Sequence, residues 1–371
     1  MSEPVRVLQV FARMDRGGAE TMIMNIYRKV DRKKVQFDFI VHTKDKCAYD
    51  DEIKRLGGKI YYIPRFSAKS VLAYQRAWNN FFKKHTGYKL IHGHVRSTAS
   101  IYLYIAKRAG LTTIAHSHST SSGSGFSSYI KNIMQYPIRY ISNITFACSK
   151  QAGCWLFGDK ATKKSNFRVI NNAIDSEQYV FNQAVRDKVR SEFSLTNKFV
   201  IGHVGRFNYA KNHEFIVDIF KEIHNRNSDA VLMLIGDGEL RPLIQKKVND
   251  LGISNSVIFT GVRSDIPDLL QAMDLFLFPS LYEGLPVTLV EAQASGLKCI
   301  VSNTITDEVI CTDNLVEFMS LKSNATNWAE RALKYSIKDK RKDYQHEIIK
   351  AGYDINETSA LLEEFYLTNG K

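Results

Sequence analysis

Short apolar runs recur along this chain, and most are followed by a segment with the apolar spacing of a helix. In the first half the runs are residues 5–12, 37–42, 59–63, 89–94 and 112–115, with shorter ones at 143–148 and 167–170. In the second half they are residues 199–204, 230–235, 257–260, 274–278 and 298–302. Runs of this length and composition read as buried strands. Strand and helix alternating at this pitch predict a parallel α/β sheet in each half. No internal repeat and no run of about 18 apolar residues is present, so no membrane-spanning helix is expected.

The second half carries the most specific stretch, Phe278-Pro279-Ser280-Leu281-Tyr282-Glu283-Gly284-Leu285-Pro286-Val287-Thr288-Leu289-Val290-Glu291-Ala292. It reads as a strand, a loop turned by Gly284, and a helix over residues 287–293 with Pro286 at its first position and Gly296 as its stop. The free amides near Val287, Thr288 and Leu289 then point into the loop, where a phosphate is favoured. Glu283 precedes them and Glu291 follows, so one carboxylate sits on the loop and one on the helix, bracketing a ligand. Upstream, Gly205 and Arg206 follow the strand at 199–204, and Lys211 comes five residues after Arg206. A guanidinium and an ammonium on one loop suit a diphosphate. Gly236-Asp237-Gly238 and Gly261-Val262-Arg263 end the next two strands.

These residues carry a resemblance. Glu-Gly-Leu-Pro-Val-Thr-Leu-Val-Glu after an apolar strand, followed by Ala-x-Ala-x-Gly, resembles the donor site of retaining glycosyltransferases of family 4, and Val204-Gly205-Arg206 with Lys211-Asn212 matches a second motif of that family. The resemblance spans nearly the whole chain. It implies the GT-B fold, an α/β architecture of two Rossmann-like domains with parallel sheets facing across a cleft. It further implies a hexosyltransferase moving a sugar from a nucleotide diphosphate sugar, with UDP the expected nucleotide, to a saccharide acceptor with retained anomeric configuration. Arg206 and Lys211 inherit the diphosphate. Glu291 takes the ribose hydroxyls, and Glu283 with the amides after Gly284 holds the sugar hydroxyls. Gly205, Gly236, Leu285 and the backbone at Val262 line the donor. No cofactor is expected, and no metal, because two cations and a helix terminus already face the diphosphate.

The first half offers Gly17 and Gly18 after its first strand, a phosphate-tolerant turn that lacks the dinucleotide fingerprint. The resemblance places these glycines on the acceptor side. His92, His94, His116 and His118 stand at two neighbouring strand ends and suggest a cleft lining. His-x-His pairs without a carboxylate or cysteine are weak metal signatures. In the resembled family one histidine at the later strand end reaches the donor sugar from the opposite domain, so that closure assembles the site; His116 is the first choice and His118, otherwise acceptor-side, the second. Residues 119–128 read as a Ser/Gly-rich loop suited to an acceptor-gated lid.

The net charge of +13 is unevenly placed, with +18 over residues 1–197 and −5 beyond, and residues 53–158 contain no Asp or Glu. A positive half speaks of partners rather than fold. Anionic headgroups, a lipid diphosphate or nucleic acid all satisfy the charge; an acid-free basic domain in this family points to a lipid-linked saccharide at an anionic membrane surface, with no nucleic acid expected. Residues 70–84 form a basic, aromatic helix that either lies in a membrane interface or packs on the sheet, and residues 129–141, interrupted by Pro137, pose the same choice. Five scattered cysteines in no metal or redox spacing, and a start without a signal peptide, indicate a cytoplasmic chain, peripheral on the inner membrane face.

The domain boundaries expected are residues 1–175 for the first Rossmann-like, acceptor- and membrane-facing domain, 176–197 for a linker, 198–345 for the donor domain, and 346–371 for a terminal helix crossing back to the first domain. The resemblance points to capsule or exopolysaccharide assembly. Three other readings stand beside it. A non-hydrolysing nucleotide-sugar epimerase shares the architecture. A glycosidase with Glu283 and Glu291 as acid and base has no use for Arg206 or Lys211. A non-enzymatic basic binding protein does not explain the acidic second half.

Overall fold

Every strand pairing among the described residues is parallel. The computed structural model describes residues 3–122, 125–336 and 341–370. The chain divides into unit 1, Met1–Ile174 with Asp354–Lys371, and unit 2, Asp175–Tyr353.

Unit 1 contains strands β1 (Val5–Val10), β2 (Val35–Val41), β3 (Ile60–Tyr62), β4 (Leu90–Gly93), β5 (Thr112–Ser117), β6 (Ile144–Ala147) and β7 (Phe167–Val169) in the order β3-β2-β1-β4-β5-β6-β7. Its helices are α1 (Gly18–Lys29), α2 (Asp50–Arg55), α3 (Val71–Lys84), α4 (Ala99–Arg108), α5 (Phe126–Gln135), α6 (Ile138–Ile141) and α7 (Lys150–Phe157). Side chains alternate across a strand, so each strand feeds two cores. Val7 joins the core under α1, with Met22, Ile26, Tyr27 and Phe37. Leu8 and Val10 join the core under α3 and α4, with Trp78 and Tyr102.

The choice left open for residues 70–84 resolves toward the sheet. Tyr74, Trp78, Phe81 and Phe82 are buried, and Trp78 stacks on Tyr102 with centroids 5.1 Å apart. Burying each such ring contributes roughly 2–3 kcal/mol to the fold. The expected 119–128 loop is shorter than read: α5 already begins at Phe126, and Gly123 and Ser124 lie outside the described residues.

Unit 2 contains β8 (Phe199–Val204), β9 (Ala230–Ile235), β10 (Val257–Gly261), β11 (Leu275–Phe278), β12 (Lys298–Ser302) and β13 (Val316–Met319), ordered β10-β9-β8-β11-β12-β13. Its helices are α8 (Gln183–Glu192), α9 (His213–Arg226), α10 (Arg241–Asp250), α11 (Ile266–Ala272), α12 (Val287–Ala294), α13 (Ala325–Leu333) and α14 (Gln345–Lys350). The segment expected to be a linker is instead part of this unit. Asn182 caps α8 through bonds from the Ala184 and Val185 amides. Arg186 and Arg190 of α8 donate to the last carbonyls of α11, at Gln271 and Ala272, each at 2.8 Å. Cations at a helix C-terminus satisfy carbonyls that the helix leaves over.

The terminal helix α15 (Ile355–Asn369) belongs to unit 1. Asp354 caps it through bonds from the Asn356 and Glu357 amides and pairs with Ile174 in an isolated bridge. Leu362 and Tyr366 of α15 then fill the core under α1. Residues 346–353, expected with this helix, fall in unit 2.

Candidate active site

In unit 2 the chain leaves β8 for β9 and β10 on one side, then returns to place β11 on the other. The order reverses between β8 and β11, so the loops leaving their C-terminal ends part there. Open parallel sheets bind ligands in the crevice this makes. Both motif loops leave from this point. Leu281 donates its amide to the Ala210 carbonyl at 2.8 Å, and the Asn212 side-chain amide donates to the Pro279 carbonyl at 3.1 Å. Lys211 Nζ lies 2.8 Å from Glu283 Oε1, with both side chains 15% exposed. The same ammonium stands 4.7 Å from the centroid of Phe278, so a cation–π contact and an ion pair fix it together.

The glycines make this geometry possible. A Cβ on Gly205 would lie 2.8 Å from His203 Nε2 and 3.1 Å from Lys211 Cδ, so the bare backbone gives the lysine stem its path. Gly236 has φ +133°, and a Cβ there would collide with the Gly205 carbonyl. The three strand ends close on one another by bonds from Gly205 to Ile235 and from Gly236 to Gly261, each 2.9 Å.

The helix after the β11 loop differs in detail from expectation. Pro286 is the N-cap of α12 with φ −77° and ψ 100°, not its first helical residue, and no side chain caps the helix. The Leu289 amide is already spent on the Pro286 carbonyl at 3.0 Å, closing the first turn as a tight 3₁₀ bond. The amides of Val287 and Thr288 remain as the helix's anion-facing donors. Thr288 Oγ1 is buried with no hydrogen-bond partner among the described residues, which adds a hydroxyl in want of an acceptor beside them.

Glu291 lies on α12 and accepts a 2.8 Å hydrogen bond from the Tyr179 hydroxyl. Burial raises the Glu291 carboxyl above its ordinary range, and the Tyr179 bond opposes that rise. Tyr179, 112 residues away in sequence, is a partner that sequence reasoning missed; no local pattern marks it. Arg206 is 74% exposed, with Glu239 3.5 Å away, so its guanidinium stands in solvent at the loop rim. Val262 follows β10 and is exposed; Leu285 is buried; Gly284 lies in the β11 loop.

In unit 1, Gly17 is the N-cap of α1, followed by Gly18. The Glu20 carboxylate folds back against this turn, where a Cβ on Gly17 would meet it, so the helix tip already holds an anion. Burial raises the Glu20 carboxyl.

β4 and β5 bring the four histidines together. His116 lies inside β5 and not in the loop beyond it. The rings pack as plates: His92 and His116 at 5.2 Å between centroids and 2° between planes, His116 and His118 at 4.0 Å, with Phe11 stacked on His94 at 4.2 Å. Their nitrogens pair, His92 Nε2 with His116 Nδ1 at 3.1 Å and His94 Nδ1 with His118 Nε2 at 2.8 Å. Burial pushes all four well down, His118 to about 3, with the neighbouring histidines adding to the fall at His92, His94 and His116 and Arg96 at His118. The four rings are therefore neutral at pH 7. His92, His94 and His116 place one ring nitrogen each within 4.8 Å of the others, the one such group found among the described residues.

A separate cavity of about 1190 Å³ opens at the opposite end of the unit 2 strands, where β8 and β11 begin, lined among others by Arg186, Arg190, Asp274 and Arg341. Its arginines are engaged. Arg341 donates to the carbonyls of Leu270, Met273 and Ser295, and the other two reach Asp274. This cavity closes the α11 terminus and stands apart from both motif loops.

The family model described as Glycosyl transferases group 1 matches residues 185–354, and the one described as Glycosyltransferase Family 4 matches residues 16–178. The chain is 35% identical to the putative glycosyltransferase EpsF of Bacillus subtilis, over 100% of its own length and 98% of that protein's. The chain belongs to the group 1 glycosyltransferases. This glycosyltransferase is also 30% identical to the UDP-Gal:alpha-D-GlcNAc-diphosphoundecaprenol alpha-1,3-galactosyltransferase of Escherichia coli, over 72% of each chain. Its fold matches that of Anabaena HepE in complex with UDP, with a TM-score of 0.80 at 16% identity over 97% of this chain and 99% of that one. The architecture is GT-B, as the resemblance implied.

The histidines give this glycosyltransferase a pH dependence. His203 also falls well below the ordinary range, and His213 to about 4, both chiefly by burial. Above about pH 6.5 neither the folded nor the unfolded chain protonates these six rings, and they leave stability unchanged. Below it the unfolded chain takes up protons that the fold refuses. Each ring then costs about 1.4 kcal/mol of stability per pH unit, down to its folded value. Glu20 and Glu291, raised in the fold, act with the opposite sign at lower pH. Urea unfolding at pH 7.0 and 5.5 is expected to show a loss of several kcal/mol. An unchanged midpoint would contradict the neutral, buried state of the rings.

Proposed function

We propose that this glycosyltransferase transfers a hexose from a UDP-sugar to a lipid-linked saccharide, with retention of configuration and without a metal, during assembly of a surface polysaccharide. The observation that carries the donor reading is the pairing of Lys211 with Glu283 across the β8 and β11 loops, beside the uncapped start of α12. Arg206, Lys211, the Val287 and Thr288 amides and Thr288 Oγ1 are all donors. Together they supply the charge and hydrogen bonds that a departing diphosphate gains as its bond to the sugar breaks, and interactions that strengthen with developing charge lower the barrier. Without ligand, Glu283 neutralises Lys211. With a diphosphate present, the ammonium turns to phosphate and the Glu283 carboxylate is released to accept sugar hydroxyls. Glu291 accepts from the ribose with the oxygen that Tyr179 leaves open. His116 hydrogen-bonds a substrate hydroxyl, and His118 with the Gly17–Gly18 turn serves the acceptor. No side chain in this set is placed as a nucleophile, and attack on the same face, assisted by the leaving phosphate, fits the donor-rich loop.

The lipid-linked acceptor rests on three observations. The Escherichia coli relative acts, by its name, on a diphosphoundecaprenol-linked sugar. Residues 53–158 carry no acid. Within them Phe126, Tyr129, Ile130 and Ile133 occupy one face of α5, with Tyr136 and Tyr140 beyond it, and all six are exposed, Phe126 by 78%. The spacing i, i+3, i+4, i+7 makes a continuous apolar stripe, with Lys131 and Arg139 beside it. Such a helix lies in a headgroup layer and binds more strongly when the lipid is anionic. No described helix is long and apolar enough to cross a membrane.

Two outcomes are expected. Lys211→Ala lowers sugar transfer by on the order of a hundredfold in a product assay with UDP-sugar, while vesicle binding is retained; wild-type turnover in this variant would overturn the donor site. In co-sedimentation with vesicles containing anionic lipid, the chain pellets in a salt-sensitive way, and Phe126→Asp with Tyr140→Asp reduces the bound fraction several-fold. Sedimentation indifferent to lipid charge, salt and these changes would remove the membrane reading.

A further inference from the structure

The four histidines form two chains of hydrogen bonds whose direction follows from their end groups. In one chain, Gln9 Oε1 lies 2.9 Å from His94 Nε2. An amide oxygen only accepts, so His94 carries its proton on Nε2. A neutral ring has one proton, so His94 Nδ1 is bare and accepts from His118 Nε2 at 2.8 Å. His118 Nδ1 is then a bare acceptor, and it is buried with no partner among the described residues.

The other chain starts at Tyr366 of α15. Its ring is fully buried, and its hydroxyl lies 2.8 Å from His92 Nδ1, 274 residues away in sequence. Burial pushes the Tyr366 hydroxyl up, so it keeps its proton. Gln9 also acts on this hydroxyl, lowering it as an amide N–H donor does, its oxygen being engaged by His94. If the hydroxyl oxygen accepted from His92 as well, the tyrosine proton would be left buried without an acceptor, at a cost of about 1–3 kcal/mol. Donation to His92 Nδ1 avoids this and puts the His92 proton on Nε2. From there it is donated to His116 Nδ1 at 3.1 Å. His116 is then protonated on Nε2, the one ring nitrogen of His116 with no partner among the described residues.

We infer that Tyr366 and His92 are positioning residues that fix His116 in its Nε2–H form, so that the stacked His116 and His118 rings present one hydrogen-bond donor and one bare acceptor to a hydroxyl-bearing substrate. A hydroxyl is both donor and acceptor, and this pair matches it without any charge. The arrangement also accounts for a tyrosine and a second histidine buried behind the site, where an apolar pair would fill the same space. The inference rests on the reading of His116 as a substrate contact, and its test separates the two.

The tautomers are read directly by two-bond proton–nitrogen correlation spectra of the full chain with ¹⁵N-labelled histidine. The wild type is expected to show His116 and His118 as Nε2–H forms. Tyr366→Phe keeps the ring and removes the proton source. It is expected to keep the melting profile cooperative, to convert much of His116 to the Nδ1–H form, and to lower kcat on the order of tenfold with little change in KM. His92→Gln, whose amide accepts from Tyr366 and donates onward, is expected to keep His116 in the Nε2–H form, whereas His92→Phe is not. An unchanged His116 tautomer in both Tyr366→Phe and His92→Phe overturns the inference. A converted tautomer with unchanged kcat leaves the relay standing and overturns the role of His116 as a substrate contact.

Discussion

The contact between Lys211 and Glu283 ties together the two loops that the sheet order sets apart. Strands β8 and β11 are neighbours whose following helices diverge, so nothing in the backbone ladder holds the loops at a given spacing. The ion pair does so, helped by the bond from Leu281 to Ala210 and by Phe278 beneath the ammonium. Because both side chains are largely shielded from water, their attraction is screened less than at an open surface. The pair also stores the site's chemistry in a neutral form. In the proposed reaction a diphosphate, with more negative charge than one carboxylate, would take the ammonium from Glu283 without leaving an isolated buried ion. The remaining elements serve this exchange: glycines at the strand ends bring the loops close, and α12 contributes its unpaired amides.

Unit 1 achieves polarity by other means. Its central strands end in histidines, and the groups that shift these rings are burial, the neighbouring histidines and Arg96, with no carboxylate among them. Neutral rings stacked at van der Waals spacing avoid the cost of burying a cation. Orientation then falls to neutral partners, Gln9 and Tyr366.

Much of this was legible in the sequence because it is local. Buried parallel strands are rich in apolar residues, and twelve of the thirteen strands among the described residues announce themselves in that way. β13 does not: Val316-Glu317-Phe318-Met319 is a half-buried edge strand, and a glutamate inside it disguises the run. The two loops proposed to hold the diphosphate were legible as motifs, from residue types at fixed spacing. Their partners were not, since Tyr179 meets Glu291 and Tyr366 meets His92 only through tertiary folding. The helix within residues 176–197, expected to be a linker, was hidden for a similar reason. α8 is polar in composition, and its arginines are buried only because they cap the end of α11. The aromatic helices α3 and α5 look alike in composition, and packing alone separates them: α3 turns its rings into the core, while α5 turns its own to solvent.

A crystal structure of the chain with UDP bound is the most direct measurement of the central claim. Both phosphates are expected within hydrogen-bond distance of Arg206, Lys211 and the first amides of α12, with Lys211 Nζ displaced from Glu283 and the ribose hydroxyls on Glu291. A nucleotide held elsewhere, for instance against Arg186, Arg190 and Arg341 at the opposite end of the strands, with the Lys211–Glu283 pair intact, would contradict this site.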